Sequence, residues 1–165
     1  MDTLLKKILY VDMDGVLCNY LKAFKLNKED NPTQIYPQSE FGFFLGLEPI
    51  SGSLEAINYL KDYFDVWILT RPSVHNLSCY TEKAQWVRNH LGFDMQIKTI
   101  ICTNKSLLKG SFLIDDQTEH GQLEFEGKLI QFGTEKFNNW DKIIEYLMCN
   151  KDQFVKSEFE SQCGC

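Results

Sequence analysis

Two hydrophobic rhythms alternate along this chain: short continuous apolar runs, and longer stretches whose apolar residues recur three or four positions apart. The runs at 8–17, 66–69, 97–102, 112–114 and 129–132 have the length and β-branched content of buried parallel strands. Between them, helical spacing predicts a helix over 19–29. A second starts at Ser53, with a serine N-cap and Leu54, Ile57, Leu60 and Phe64 on one face. A third runs over 81–91, capped by Thr81 and stopped by Gly92, and the last carries Trp140, Ile143, Ile144 and Leu147. Strands alternating with amphipathic helices predict an α/β protein, a three-layer Rossmann-like parallel sheet covered on both faces. The Pro/Asn/Gln/Ser-rich stretch 30–39 reads as a connection.

The first run breaks off in a way that points to chemistry. It meets Asp12-Met13-Asp14-Gly15, two carboxylates spaced by one residue and followed by glycine. On a continuing strand both side chains leave the same face, at the C-terminal sheet edge where open α/β sheets place ligands. One carboxylate can then attack while the other handles a proton, although Asp and Gly are also ordinary turn residues. What shifts the balance is the rest of the chain. Thr70, Lys105 and the pair Asp115-Asp116 each lie at or just after the end of a different predicted strand, so a parallel sheet gathers all of them with Asp12 into one crevice.

Length and charge narrow the function classes. At 165 residues the chain is one domain of common size, and its 44% hydrophobic content suits a globular core. No apolar run reaches membrane-spanning length and residues 1–7 lack signal-peptide architecture, so a cytoplasmic protein without membrane association is expected. A net charge of -6 argues against a broad grip on a nucleic-acid polymer, which needs a basic face. A small phosphorylated substrate remains compatible, given a cation to offset the acidic crevice; magnesium, which takes oxygen ligands from a few carboxylates, suits it. The six cysteines form no CxxC pair or zinc-type cluster, and Cys163-Gly164-Cys165 reads as a tail. His75, His90 and His120 receive no role.

With those residues in place, the chain resembles the haloacid dehalogenase-like phosphatases over roughly residues 8–147, through Asp12-Met13-Asp14-Gly15, Thr70, Lys105 and Asp115-Asp116. Within that superfamily it is most similar to the 5'(3')-deoxyribonucleotidases, which carry segments like 11–17, 43–52, 82–87 and 113–116. Two features depart from the animal enzymes: the stretch between Leu17 and Phe43 is shorter than their cap insertion, and Thr70-Arg71-Pro72 stands where they usually have Thr-Ser-Pro.

The resemblance implies a catalytic core of residues 1–18 and 48–150, a small helical cap insertion at 19–47 and a C-terminal tail at 151–165. It implies a magnesium-dependent phosphatase of nucleoside monophosphates, with 5'(3')-deoxyribonucleotides as substrates. Asp12 would be the nucleophile that forms an aspartyl-phosphate, and Asp14 the general acid and base. Thr70 and Lys105 would hold the phosphoryl oxygens. Asp12, the main-chain carbonyl of Asp14 and Asp116 would bind Mg2+, supported by Asp115; the spacing does not itself rank the two acids. From the residues alone, Arg71 is a candidate for the phosphate or a second anionic group. Tyr20, Phe43 and Phe44 are candidates to offer a ring to a nucleobase, or to pack the cap on the core. Phosphatase action on another small phosphomonoester and a non-catalytic nucleotide-binding regulator are the alternatives, and a homodimer is compatible with the sequence.

Overall fold

A computed structural model describes residues 6–152; the Cys163 and Cys165 tail lies outside the described residues. Five parallel strands form one sheet in the order β3-β2-β1-β4-β5, with β1 Ile8–Val11, β2 Asp65–Thr70, β3 Thr99–Ile101, β4 Phe112–Asp115 and β5 Lys128–Gln131. β1 is central between β2 and β4, and the burial of β4 on both faces explains its uninterrupted Phe-Leu-Ile run. The helices are α1 Tyr20–Asp30, α2 Ser53–Leu60, α3 Cys79–Leu91, the single turn α4 Phe93–Gln96, and α5 Trp140–Asn150.

Side chains alternate across each strand and so divide the core in two. Leu9, Val11, Val66, Ile68, Phe112, Ile114 and Ile130 pack with the buried faces of α2, α3 and α5. Tyr10, Leu69 and Leu113 point the other way, onto Phe125 and Leu108 from the segment between β3 and β5. That division follows from connection handedness. The β1-to-β2 and β2-to-β3 crossovers step in one direction, whereas the chain then returns across the sheet to β4 and β5; right-handed connections send the two sets to opposite faces. The second covering layer is therefore an irregular segment with one 3-10 turn, Lys105–Leu107, and no α-helix.

Several boundaries differ from the sequence expectation for local reasons. β1 stops at Val11 because the chain curls on the Met13 carbonyl, which accepts from the Leu17 and Cys18 amides at 2.9 and 3.0 Å. Ser53 does not cap α2: Gly52 occupies the cap at φ +79°, and the buried Ser53 hydroxyl donates instead to the Leu17 carbonyl at 3.0 Å. α3 begins two residues before Thr81, because Asn76 Oδ1 accepts from the Ser78 amide and starts the turn early. Gly92 ends it as expected, at φ +88°. Residues 97–98 close the turn after α4, leaving β3 only three residues.

Segment 19–47 is held against the rest by polar anchors. α1 buries no residue fully, but Phe43, Phe44 and Leu47 join the main core. The buried Glu82 carboxylate, in the first turn of α3, accepts from the Gly42 and Phe44 amides at 2.9 and 3.0 Å, and Trp86 Nε1 donates to the Leu47 carbonyl at 2.7 Å. Removing the Glu82 carboxylate strands two amides beneath the aromatic cluster. Glu82→Ala should therefore lower stability by about 2–3 kcal/mol, and Glu82→Gln by less because one acceptor oxygen remains. Thermal melts with hydrogen exchange at Gly42 and Phe44 check this; unchanged exchange at both amides would contradict the anchoring.

Candidate active site

The loop after β1 builds the first side of the site. Gly15 takes φ +77°, a left-handed conformation that favours glycine, and a Cβ there would lie 2.4 Å from Asp116 Oδ2. The loop thus brings Asp12 and Asp14 over the end of β4, where Asp115 and Asp116 emerge. Asp12 and Asp14 converge from a tight turn and not from one face of a continuing strand, as the sequence pattern had implied.

Lys105 ties the strand ends together. It sits on the 3-10 turn after β3, and its buried ammonium bonds Asp12 Oδ1 at 2.7 Å and also Asp115 Oδ2. Burial by itself would lower the Lys105 pKa, but the two carboxylates raise it above its ordinary value, so the ammonium stays charged. The other oxygen of Asp115 accepts from the Gln117 amide at 2.9 Å and from Gln122 Nε2 at 3.2 Å, leaving this carboxylate fully engaged. Asp116 differs: Oδ2 accepts from Gln117 Nε2, while Oδ1 is buried without a partner. Burial, partly opposed by the Gln117 hydrogen bond, pushes Asp116 up to about 6.

A second buried lysine, Lys83, had no role in the sequence reading. From α3 it donates to Asp14 Oδ2 at 2.7 Å, to Thr70 Oγ1 at 2.8 Å and to the Arg71 carbonyl at 2.5 Å, and its ammonium lies 4.9 Å from the Phe44 ring centroid. The readable signal was a charged Glu82-Lys83 pair on the same helical face as Trp86 and Val87, all four of them buried. Burial raises the Asp14 pKa above its ordinary value even though Lys83 opposes the shift. Thr70 is wholly buried, with its oxygen already accepting from Lys83.

The site opens onto a cavity of about 500 Å³, in the range of small-molecule sites, with Lys83 and Thr70 buried behind its wall. Asp12, Asp14, Asp115, Asp116 and Lys105 lie along it, as do Arg71, Tyr20 and Phe44. Phe43 does not line the cavity: it packs edge-on against both Tyr20 and Phe44, at 5.5 and 5.2 Å between ring centroids. His75 and His120, given no role from sequence, also line the cavity, whereas His90 packs on Trp86.

Charge at the site is unbalanced. Four carboxylates face two ammonium groups and the Arg71 guanidinium, and carboxylate oxygens of Asp12, Asp115 and Asp116 lie within 4.8 Å of one another. The buried, unpartnered Asp116 Oδ1 offers an oxygen ligand in that cluster. A divalent hard cation fits this all-oxygen donor set and would offset the negative charge concentrated there.

Comparison with known proteins agrees with the geometry. The HAD-like fold recurs in a haloacid dehalogenase-like hydrolase from Xanthomonas campestris (TM-score 0.64, 11% identity, covering 93% of this chain and 95% of that one). It recurs too in a Bacillus subtilis HAD hydrolase (TM-score 0.54, 14% identity, covering 82% and 90%). A Vibrio phage KVP40 protein assigned as a 5'(3')-deoxyribonucleotidase is 32% identical over 148 residues, covering 86% of this chain and 85% of its own. The human cytosolic 5'(3')-deoxyribonucleotidase is 37% identical over 106 residues, 62% of this chain and 52% of its own. Residues 25–145 match the family model described as 5' nucleotidase, deoxy (pyrimidine), cytosolic type C protein. On this match the chain, whose fold is that of the haloacid dehalogenase-like proteins, belongs to the 5'(3')-deoxyribonucleotidase (NT5C) family.

Proposed function

We propose that this protein is a magnesium-dependent phosphatase that hydrolyses 5'(3')-deoxyribonucleoside monophosphates through an aspartyl-phosphate on Asp12. The observation that carries this reading is the meeting of Asp12, Asp14 and the half-free Asp116 on one cavity, with Lys105 and Lys83 behind them. Mg2+ held by Asp12, the main-chain carbonyl of Asp14 and Asp116 would offset the carboxylate charge that otherwise repels a phosphate. Asp115, with both oxygens engaged, acts as support by orienting Lys105.

A carboxylate oxygen of Asp12 attacks phosphorus as the ester P–O bond breaks, and Asp14 delivers a proton to the leaving alkoxide. Asp14 then takes a proton from the water that attacks the aspartyl-phosphate, releasing inorganic phosphate and regenerating Asp12. Burial favours the protonated Asp14 that the first step needs. Lys83 holds that carboxylate and Thr70 in register; Lys105, on the cavity wall, meets a phosphoryl oxygen, whereas Thr70 is wholly buried off the cavity and acts by fixing Lys83. Arg71 has no ion pair among the described residues and supplies a free cation to the phosphate. Segment 19–47 serves as a reduced cap, with Tyr20 and Phe44 as ring surfaces for the base. No helix among the described residues is long and apolar enough to cross a membrane.

Phosphate release from a panel of deoxyribo- and ribonucleotides and sugar phosphates tests the assignment: deoxyribonucleotides should lead, and a flat profile would remove it. Asp12→Asn, nearly isosteric but a poor nucleophile, should lose roughly 10³-fold or more in kcat with its fold retained. Chelation should abolish turnover and Mg2+ restore it. Asp116→Ala and Gly15→Ala should both raise the Mg2+ requirement, the latter because the new methyl displaces Asp116; activity indifferent to chelation would contradict the site. Lys83→Met should lower kcat by roughly 10²-fold through a misplaced Asp14, more for alkyl phosphates than for nitrophenyl phosphate, whose leaving group needs little proton assistance. Equal losses on both would argue that Lys83 serves stability alone.

A further inference from the structure

Among the described residues, three buried side-chain polar atoms have no hydrogen-bond partner, Gln38 Oε1, Arg71 Nε and Asp116 Oδ1, and all three residues line the same cavity. Each specifies a different complement. Asp116 Oδ1 suits a cation and the Arg71 Nε–H suits an acceptor such as a phosphate oxygen. Gln38 Oε1 requires a donor, which a phosphate dianion cannot provide. A ligand that carries an N–H or O–H to that side of the cavity would complete Gln38 Oε1.

Gln38 is held in place as a recognition group should be. It lies in the 3-10 turn Pro37–Ser39, whose ring neighbour Tyr36 stacks on His75 at 3.9 Å between centroids and 15° between planes. The Ser39 amide donates to the Tyr36 carbonyl at 2.9 Å, Pro37 is buried, and the Glu40 carbonyl accepts from Asn76 Nδ2 at 3.2 Å. The turn is thus clamped at both ends to the loop that follows Thr70. Tyr20, Phe44 and His75 line the same cavity, surfaces suited to a flat heteroaromatic ring. The pairing edge of a nucleobase sets an N–H beside an acceptor, which a carboxamide matches with its own oxygen and NH2.

We infer that Gln38 is a specificity-determining residue that accepts an N–H from the pairing edge of the substrate's nucleobase. This rests on the nucleotidase reading and adds to it the residue by which a shortened cap distinguishes a base from any other flat group. A sugar hydroxyl is the competing donor, and the choice of substrates separates the two.

The test is steady-state hydrolysis of dTMP, its N3-methyl analogue and deoxyribose 5-phosphate by the full chain and by Gln38→Ala. The wild type should favour dTMP over N3-methyl-dTMP by about 10-fold in kcat/KM, carried by KM. In Gln38→Ala that ratio should fall to within about twofold, and the loss on dTMP should exceed the loss on deoxyribose 5-phosphate about fivefold or more. Turnover of the sugar phosphate also shows that the variant is folded. Discrimination that persists in Gln38→Ala, or equal losses on dTMP and deoxyribose 5-phosphate, would overturn the assignment, the latter outcome pointing to a sugar hydroxyl or to structure. Wild-type hydrolysis of dTMP without discrimination would overturn it alone. Turnover of nitrophenyl phosphate but of no nucleotide would overturn the nucleotidase reading with it.

Discussion

Four carboxylates held at one sheet edge repel one another, and the structure depends on how that repulsion is contained. Lys105 and Lys83 are both buried, and each is shared: Lys105 between Asp12 and Asp115, Lys83 among Asp14, Thr70 and the Arg71 carbonyl. A buried ammonium is costly unless its donors are satisfied, and these geometries satisfy them. Two lysines and the Arg71 guanidinium against four acids leave the site with an excess of negative charge that a divalent cation would offset. The elevated Asp116 pKa, near 6, reports the same crowding and burial. Stability and chemistry therefore draw on one charge arrangement.

The first turn of α3 extends that arrangement to segment 19–47. Glu82 and Lys83 are adjacent, yet they face different partners: Glu82 accepts from the Gly42 and Phe44 amides, while Lys83 reaches Asp14 and Thr70. Lys83 also lies under the Phe44 ring. The Phe44 ring and the Asp14 carboxylate are thus referenced to the same rigid element, so segment 19–47 can be placed accurately by α3. Tyr36 on His75 and Asn76 on Glu40 do the same for residues 36–40 of that segment.

Economy marks the rest of the fold. The helical layer on one face carries most of the core, and the opposite face is covered by the segment between β3 and β5. That segment also contributes Lys105, Asp115, Asp116, Gln117, His120 and Gln122 to the cavity. One stretch of chain thereby covers the sheet and builds about a third of the site, which keeps Lys105 and Asp115 close in sequence and in space.

Hydrophobic period and strand-end position are local properties, and they determined much of this protein from the sequence alone. The buried runs marked all five strands, and parallel order then required Asp12, Thr70, Lys105 and Asp115-Asp116 to share an edge. Residues whose role depends on contacts distant in sequence were not legible in that way. Lys83 reads as one charge on a helix until α3 packs beneath residues 14 and 70. Gln38 lies in a polar connection whose importance appears only once Tyr36 stacks on His75. Phe43 and Phe44 are indistinguishable in sequence, yet consecutive positions in a turn diverge, and only Phe44 lines the cavity. The relative standing of Asp115 and Asp116 was likewise decided by tertiary partners. Gln122, Gln117 and Lys105 occupy both oxygens of Asp115, whereas one oxygen of Asp116 stays free, because hydrogen-bond saturation depends on what folding brings near.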